Sequence, residues 1–333
     1  MKIAVDAMGG DYAPREIVMG ALEASREGLE VILLGDRDSI LKELGNGKRD
    51  LIEIVHTTET IAMGEQPANA VRKKKDSSIV KGVQLVKEGK ASAFVSAGST
   101  GAVMAAALLG LGRIKGIDRP AIASVIPGLK GGTVLLDVGA NMDCKPKNLQ
   151  QFAIMGYLYA NRILGIDNPR VGLLNVGEEE TKGNDLTLDS LPLLKGLAVN
   201  FIGNVEGRDI FNGMADVVVC DGFVGNVVLK AGEGLAMSLM KMVKEELTRN
   251  WLSKIGTVMA LPALKEIRKR VDDAEYGGAP LLGVNGVVIV CHGSSRAFAV
   301  KNAIRVAAGA VSSGMVNAIR QNMESNLAEK VEC

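Results

Sequence analysis

The chain has 333 residues, 47% of them hydrophobic, with 40 glycines and nine prolines; it can bury a sizeable core without staples and is too apolar for a disordered protein. Lys plus Arg number 39 against 38 for Asp plus Glu, and aromatics make up 3%, so there is neither a bulk positive field nor a set of stacking platforms, and nucleic-acid binding is set aside. Cys144, Cys220, Cys291 and Cys333 are scattered without CxxC or His-rich spacing, no signal-peptide pattern follows Met1, and no apolar run reaches the roughly 18 residues of a membrane span; the expectation is a cytoplasmic protein with reduced thiols and no zinc site.

The first run, "KIAVDA" (2–7), reads as a buried strand. It leads into "MGGDYAP", where Gly9 and Gly10 lie between Asp6 and Asp11, without the lysine of a P-loop or the third glycine of a dinucleotide fingerprint. Two carboxylates repel a bare polyphosphate. Pro14 suits the start of a helix over 14–27, where no N–H is needed. Strands at 30–36 and 51–57 flank a helix at 37–46, and "VRKKK" (71–75) is a local basic patch before a helix at 78–89. Such charge runs are most often solvated faces.

A strand at 91–98 runs into "SAGSTGA" (96–102) and a helix at 99–112. Small residues at Gly98 and Gly101 let backbone amides close on an anion, while Ser99 and Thr100 cap the helix and donate hydroxyls; a plain glycine turn with a serine cap explains the same string. Strands at 121–127 and 133–140 precede "DVGANMDCKP" (137–146), which gathers Asp137, Asn141, Asp143 and Lys145. That group can hold a phosphate or a developing oxyanion, or form an Asx-turn with a solvated lysine. Cys144 has no histidine near it in sequence, which weighs against a nucleophilic thiol.

After a helix at 147–164, a strand at 170–177 ends in "NVGEEETKGN", where Lys182 and Asn184 precede a helix at 184–196. Strands at 199–206 and 215–222 end in "NVEGRD" and "CDGFVGN", which offer Glu206, Arg208, Asp221 and Asn226. A helix at 223–248 opens a helical hairpin over about 229–273, with interruptions expected at Gly256 and Pro262. Its apolar tip, Ile255, Val258, Met259, Leu261 and Leu264, is rimmed by Lys254, Lys265, Arg268, Lys269 and Arg270, a composition suited to a bilayer interface or to two core helices joined by an apolar turn. "YGGAPLLGVNG" (276–286) reads as a turn before a strand at 286–293, "CHGSS" supplies His292, and a helix at 294–319 follows. Alternation of apolar runs with helical patterns predicts an α/β fold, a largely parallel sheet covered by helices on both faces. The chain reads as one continuous unit, 1–333, with a division into lobes near 114–140.

Taken in order, "DAMGGDYAP", "SAGSTGA", "DVGANMDCKP", "NVGEEETKGN", "NVEGRDI", "CDGFVGNVVLK" and "YGGAPLLGVNGVVIVCHGSS" closely resemble the bacterial phosphate acyltransferases of phospholipid synthesis, the PlsX-type family, from Lys2 to about Ile319. The resemblance implies transfer of a long-chain acyl group from acyl carrier protein to inorganic phosphate, giving acyl phosphate for a glycerol-3-phosphate acyltransferase. It implies a fold similar to phosphotransacetylases and isocitrate dehydrogenase-type enzymes, two lobes around a cleft, usually a homodimer. No nicotinamide, other cofactor or metal is expected.

On that basis Gly98, Ser99, Thr100 and Gly101 are the first choice for phosphate, and Lys145 and Lys182, with Asn141 and Asn184, for charge stabilisation. His292 is the candidate to protonate the leaving thiolate. Gly9 and Gly10 form the cleft floor for a pantetheine arm, Asp11 or Asp6 orients a neighbour, and Asp221 and Asn226 are further polar candidates. The basic patches suit an acidic carrier, and the hairpin suits a peripheral contact with the inner face of the cell membrane. Competing readings are a phosphotransacetylase acting on short acyl-CoA, a β-decarboxylating dehydrogenase and a non-catalytic membrane scaffold.

Overall fold

A computed structural model describes residues 1–45, 49–271 and 273–329, with the side chains of 252, 268–271, 273 and 325–329 excepted. Cys333 and the side chains of Arg268, Lys269 and Arg270, part of the expected hairpin rim, lie outside the described residues.

Short β-branched runs form the strands, with side chains buried on both faces in the central ones and partly exposed in the edge strands. In order they are β1 (Lys2–Asp6), β2 (Glu30–Gly35), β3 (Ile52–His56), β4 (Ala93–Ser96), β5 (Ala121–Gly128), β6 (Gly131–Leu136), β7 (Arg170–Leu174), β8 (Asn200–Val205), β9 (Val217–Val219), β10 (Ala279–Leu282) and β11 (Val287–Val290). They make one sheet in the order β3-β2-β1-β4-β11-β10-β5-β6-β9-β7-β8. The strands from β3 to β11 in that order are mutually parallel, and so are β6, β9, β7 and β8. Between the two blocks, β10 and β5 pair antiparallel with each other and with their outer neighbours. Three reversals in succession make the second block run opposite to the first. The C-terminal strand ends of the two blocks therefore lie at opposite ends of the sheet.

One face of the first block carries α1 (Arg15–Arg26), α2 (Arg37–Leu44) and α11 (Ala297–Ser312), packed through Ile17, Val18, Ile40, Val300 and Ile304. On the same face of the second block, Leu149, Phe152 and Met155 of α6 (Pro146–Arg162) meet Leu136 and Val219. The other face has a continuous core through both blocks, from Ile79, Val83 and Phe94 to Val205, Val218 and Cys220. It is covered by α3 (Pro67–Lys73), α4 (Ser78–Lys87), α5 (Thr100–Gly110), α8 (Asp209–Asn212) and the first turns of α9 (Gly222–Leu247). Burying each large aliphatic or aromatic side chain contributes about 1.5–3 kcal/mol, so the tertiary core holds the short strands in place.

Three local expectations are corrected. "APLL" is a strand, β10, although the flanking Gly277, Gly278 and Gly283, all at positive φ, made the segment read as a turn. The helix expected over 294–319 divides at Gly314 (φ +65°) into α11 and α12 (Met315–Glu329). The hairpin turns at 248–250, not at Gly256 to Pro262. Asn250 Oδ1 accepts from Ser253 N (2.8 Å), and the Thr257 hydroxyl donates to Leu247 O (2.9 Å) and Ser253 O (2.7 Å). With its start thus capped, α10 (Trp251–Val271) continues through both helix-weakening residues. Ile255, Val258, Met259 and Leu261 are exposed along α10 and Leu264 is half-buried, so they line a helix and do not form the tip. Among the described residues no helix is long and apolar enough to cross a membrane.

Candidate active site

At the first end of the sheet, β1, β4 and β11 deliver their loops side by side. The fully buried Asp6 organises them: its carboxylate accepts from Ser96 Oγ (2.7 Å) and Met8 N (3.1 Å), while Ser96 Oγ accepts from Gly98 N (3.0 Å). Burial raises the Asp6 carboxyl, and hydrogen bonds from Ser78, Ser96 and the Met8 and Gly9 amides pull it back. Gly9 is required by close approach, since a Cβ there would overlap the Asp6 carboxylate and the Gly98 backbone. Gly10 (φ +106°) turns the chain so that Asp11 N donates to Gly293 O (2.8 Å). Ser99 Oγ caps α5 through Ala102 N (3.4 Å), and Thr100 is exposed at the helix start.

His292 joins this cluster. Val290 and Ser96 are the last pair of β11 and β4, and Cys291 N donates to Ser96 O (2.8 Å), so the loops that carry His292 and Gly98 leave the sheet side by side. Its Nδ1 lies 2.7 Å from Ser294 Oγ and its Nε2 lies 2.9 Å from Lys230 Nζ.

At the other end, the loops after β6 and β9 meet at a second buried carboxylate, and the loop after β7 leaves the same end of the sheet. Asp137 accepts from the backbone N–H groups of Ile122 (3.1 Å), Gly139 (3.2 Å), Ala140 (3.0 Å) and Asn141 (2.7 Å), and from Asn141 Nδ2 (2.8 Å). Burial raises this carboxyl too, against those hydrogen bonds. Asn141 also donates to Pro120 O (2.7 Å), so its amide hydrogens serve the loop. Lys145 is exposed just before α6, its backbone N–H bonded to Asn148 Oδ1 (2.8 Å).

Lys182 is exposed in the loop after β7, its carbonyl accepting from Asn175 Nδ2 (3.0 Å). Asn184 caps α7 (Asp185–Lys195) through Thr187 N (3.0 Å), and Asp221 caps α9 through Phe223 N (2.9 Å) and Val224 N (3.0 Å). The Cys144 thiol is pushed up to about 11 by burial and then by the Asp137 carboxylate, which keeps it protonated at neutral pH.

The topology thus separates Gly9, Gly10, Asp11, Gly98, Ser99, Thr100, Gly101 and His292 from Asn141, Lys145, Lys182, Asn184, Asp221 and Asn226. Helix α9 reaches both groups. Gly225 lets it dock, since a Cβ there would overlap the Asp137 carbonyl, and a Cβ at Gly139 would stand 3.7 Å from Asn226 Oδ1. One turn further, Lys230 meets His292. Residues four apart share a helix face, with a rise of about 6 Å between them.

The contribution of Lys230 was not recognised in the sequence. Its signal was the i, i+4 spacing from Asn226 within "GNVVLKAGE", which has no meaning until His292 is known to lie across from it. Met142, Val176, Phe223 and Val227 leave exposed apolar surface beside the second group.

The fold of two oppositely directed blocks is shared with solved structures of low sequence identity. A phosphotransacetylase from Streptococcus pyogenes superimposes with a TM-score of 0.66 over 94% of each chain at 20% identity. A family model described as "Fatty acid synthesis protein" matches residues 1–318, and the chain belongs to that family. It is 65% identical over 327 residues to the phosphate acyltransferase of Pelotomaculum thermopropionicum, covering 98% of this chain and 96% of the relative. It is 60% identical to that of Heliobacterium modesticaldum, covering 97% and 98%.

Proposed function

We propose that this chain transfers a long-chain acyl group from the thioester of acyl carrier protein to inorganic phosphate, releasing acyl phosphate and the carrier thiol. The observation that carries this reading is similarity along almost the whole chain to proteins named phosphate acyltransferase; glycine-containing turns at the strand ends and exposed apolar surface near them support it.

Phosphate is already a nucleophile, so no covalent intermediate is required. An oxygen of phosphate forms the new C–O bond, the C–S bond breaks, and the proton given up by hydrogenphosphate ends on the thiol. Positioning the two reactants supplies up to about 7–11 kcal/mol of the barrier. The Gly98–Gly101 turn, with Ser99 and Thr100, holds phosphate against the start of α5. Lys182 faces the thioester oxygen as negative charge develops, a contribution of about 3–4 kcal/mol for a well-placed donor. Lys145 adds positive charge to the same loop group, and Gly9 and Gly10 border the path of the pantetheine arm. Asp137, through Asn141, and the caps Asn184 and Asp221 keep the loops in register. The exposed Met142, Val176, Phe223 and Val227 receive the first carbons of the acyl chain.

The partners follow from the same reading. Exposed Arg72, Lys73 and Lys75 offer a basic surface to an acidic carrier. The apolar side of α10, together with exposed Leu239, Met242 and Trp251, gives the protein a peripheral membrane contact on the cytoplasmic face, where an insoluble product passes to a glycerol-3-phosphate acyltransferase. The working unit is a homodimer. The donor is tested by following phosphate-dependent thiol release from palmitoyl carrier protein and from acetyl-CoA. Release from the carrier substrate alone is expected, and preferential turnover of acetyl-CoA would contradict it.

A further inference from the structure

The ammonium of Lys230 occupies an unusual place for a helix-surface lysine. It leaves the second block on α9, crosses to the loop after β11, and lies 2.9 Å from His292 Nε2 and 2.8 Å from Glu233 Oε2. An ammonium has donors only, so Nε2 accepts from Lys230, while Nδ1 lies 2.7 Å from Ser294 Oγ and 3.3 Å from the Ser294 amide nitrogen. Among the described residues the ammonium has these two acceptors, which leaves one N–H of its three for another. The lysine side chain is 45% exposed, so a solute can reach it.

The pairing of β11 with β4 indicates where that remaining donor lies. His292 follows β11 and Gly98 follows β4, and these strands are parallel neighbours about 4.8 Å apart. Lys230, bonded to His292, therefore brings a positive charge to the loop beside the one that opens α5. Gly98 to Gly101 contribute only neutral groups, and Asp11 Oδ1 would lie 3.6 Å from a Cβ at Gly293 in the adjoining loop. A dianion at such a turn needs a cation; the loops after β1 and β4 hold none, and Arg296, in the loop after β11, is stacked over the Tyr12 ring at 4.6 Å.

We propose that Lys230 is a binding residue for the acyl acceptor: its ammonium contacts the anion held at the Gly98–Gly101 turn, with His292 and Glu233 holding the lysine in position beforehand. This rests on the phosphate-acceptor reading above and adds to it a cation supplied from the opposite block. Because α9 also carries Asn226 against the Asp137 loop, anion binding at Lys230 draws the acceptor turn and the thioester loops onto one helix face. His292 then acts by positioning Lys230, and its Nε2 carries no proton to give to a thiolate while the lysine is in place.

The test separates the two layers. Wild-type protein is first shown to form acyl phosphate in a phosphate-dependent way; if it does not, the acceptor reading itself fails. Given wild-type activity, Lys230→Met is expected to raise KM for phosphate about tenfold or more while KM for the acyl donor stays within about twofold, and Lys230→Arg is expected to recover most of the loss. An unchanged phosphate KM in Lys230→Met, or a change confined to the donor KM, would overturn the proposal.

A second measurement needs no variant. His56 and His292 are the two histidines of the chain, so their imidazole NMR signals are readily separated. Titration of the wild-type protein with inorganic phosphate is expected to shift the His292 signal saturably and leave His56 unmoved. An unmoved His292 signal at saturating phosphate would equally overturn the proposal.

Discussion

Asp6 and Asp137 are the same device used twice: a buried carboxylate at the end of a strand, satisfied by hydroxyl and amide donors, around which a glycine-containing loop is wound. Both fix loop shape, and under the proposed function the exposed lysines at the strand ends, Lys182 above all, are the ones free to meet a substrate. The two roles predict opposite outcomes. Asp137→Ala leaves several buried N–H groups without an acceptor and is expected to cost about 3–5 kcal/mol of stability, measured by urea denaturation. Lys182→Ala should leave the denaturation midpoint where it is and lower turnover about 100-fold or more. A stable Asp137→Ala, or a fully active Lys182→Ala, would show that these roles are wrongly divided. Both residues were visible in the sequence as members of polar strings at strand ends. What the strings could not reveal was burial, which separates Asn141, held by Pro120 O and Asp137, from the exposed Lys145 four residues later.

Helix α9 shows what an element can do that its residues singly cannot. Its first two turns dock on the Asp137 loop and deliver Lys230 to His292, while its second half carries exposed Leu235, Met237, Leu239 and Met242 away from the core. With α10 it forms two antiparallel helices whose apolar side chains remain uncovered over much of their length. Charged substitutions at Val258 and Leu261 are expected to abolish sedimentation with anionic phospholipid vesicles and to preserve turnover of soluble substrate. Undiminished vesicle binding would rule out α10 as the contact. The helical pattern was plain from periodicity, but the position of the turn was misread because Gly256 and Pro262 are strong breakers in isolation. Asn250 as a cap and the Thr257 hydroxyl bonds outweighed them.

For the whole molecule, the decisive feature is the reversal of strand direction through β10 and β5. Ten of the strands, the α/β class and the covered faces follow from local apolar runs, which is why they were legible. The reversal depends on β10, four residues masked by glycines at Gly277, Gly278 and Gly283, and on which strands pair across the middle of the sheet. No local pattern encodes that pairing. The candidate residues consequently read as one list, whereas the fold distributes them over two sheet ends and brings in α9 to span them. The proposed function, with α9 bringing the two loop groups to one site, predicts a single overall reaction that needs both substrates together. The direct test is to incubate the purified protein with long-chain acyl carrier protein and inorganic phosphate and trap the product with hydroxylamine. Acyl hydroxamate that forms only when phosphate and donor are both present is the predicted result; absence of any phosphate-dependent hydroxamate would contradict the account.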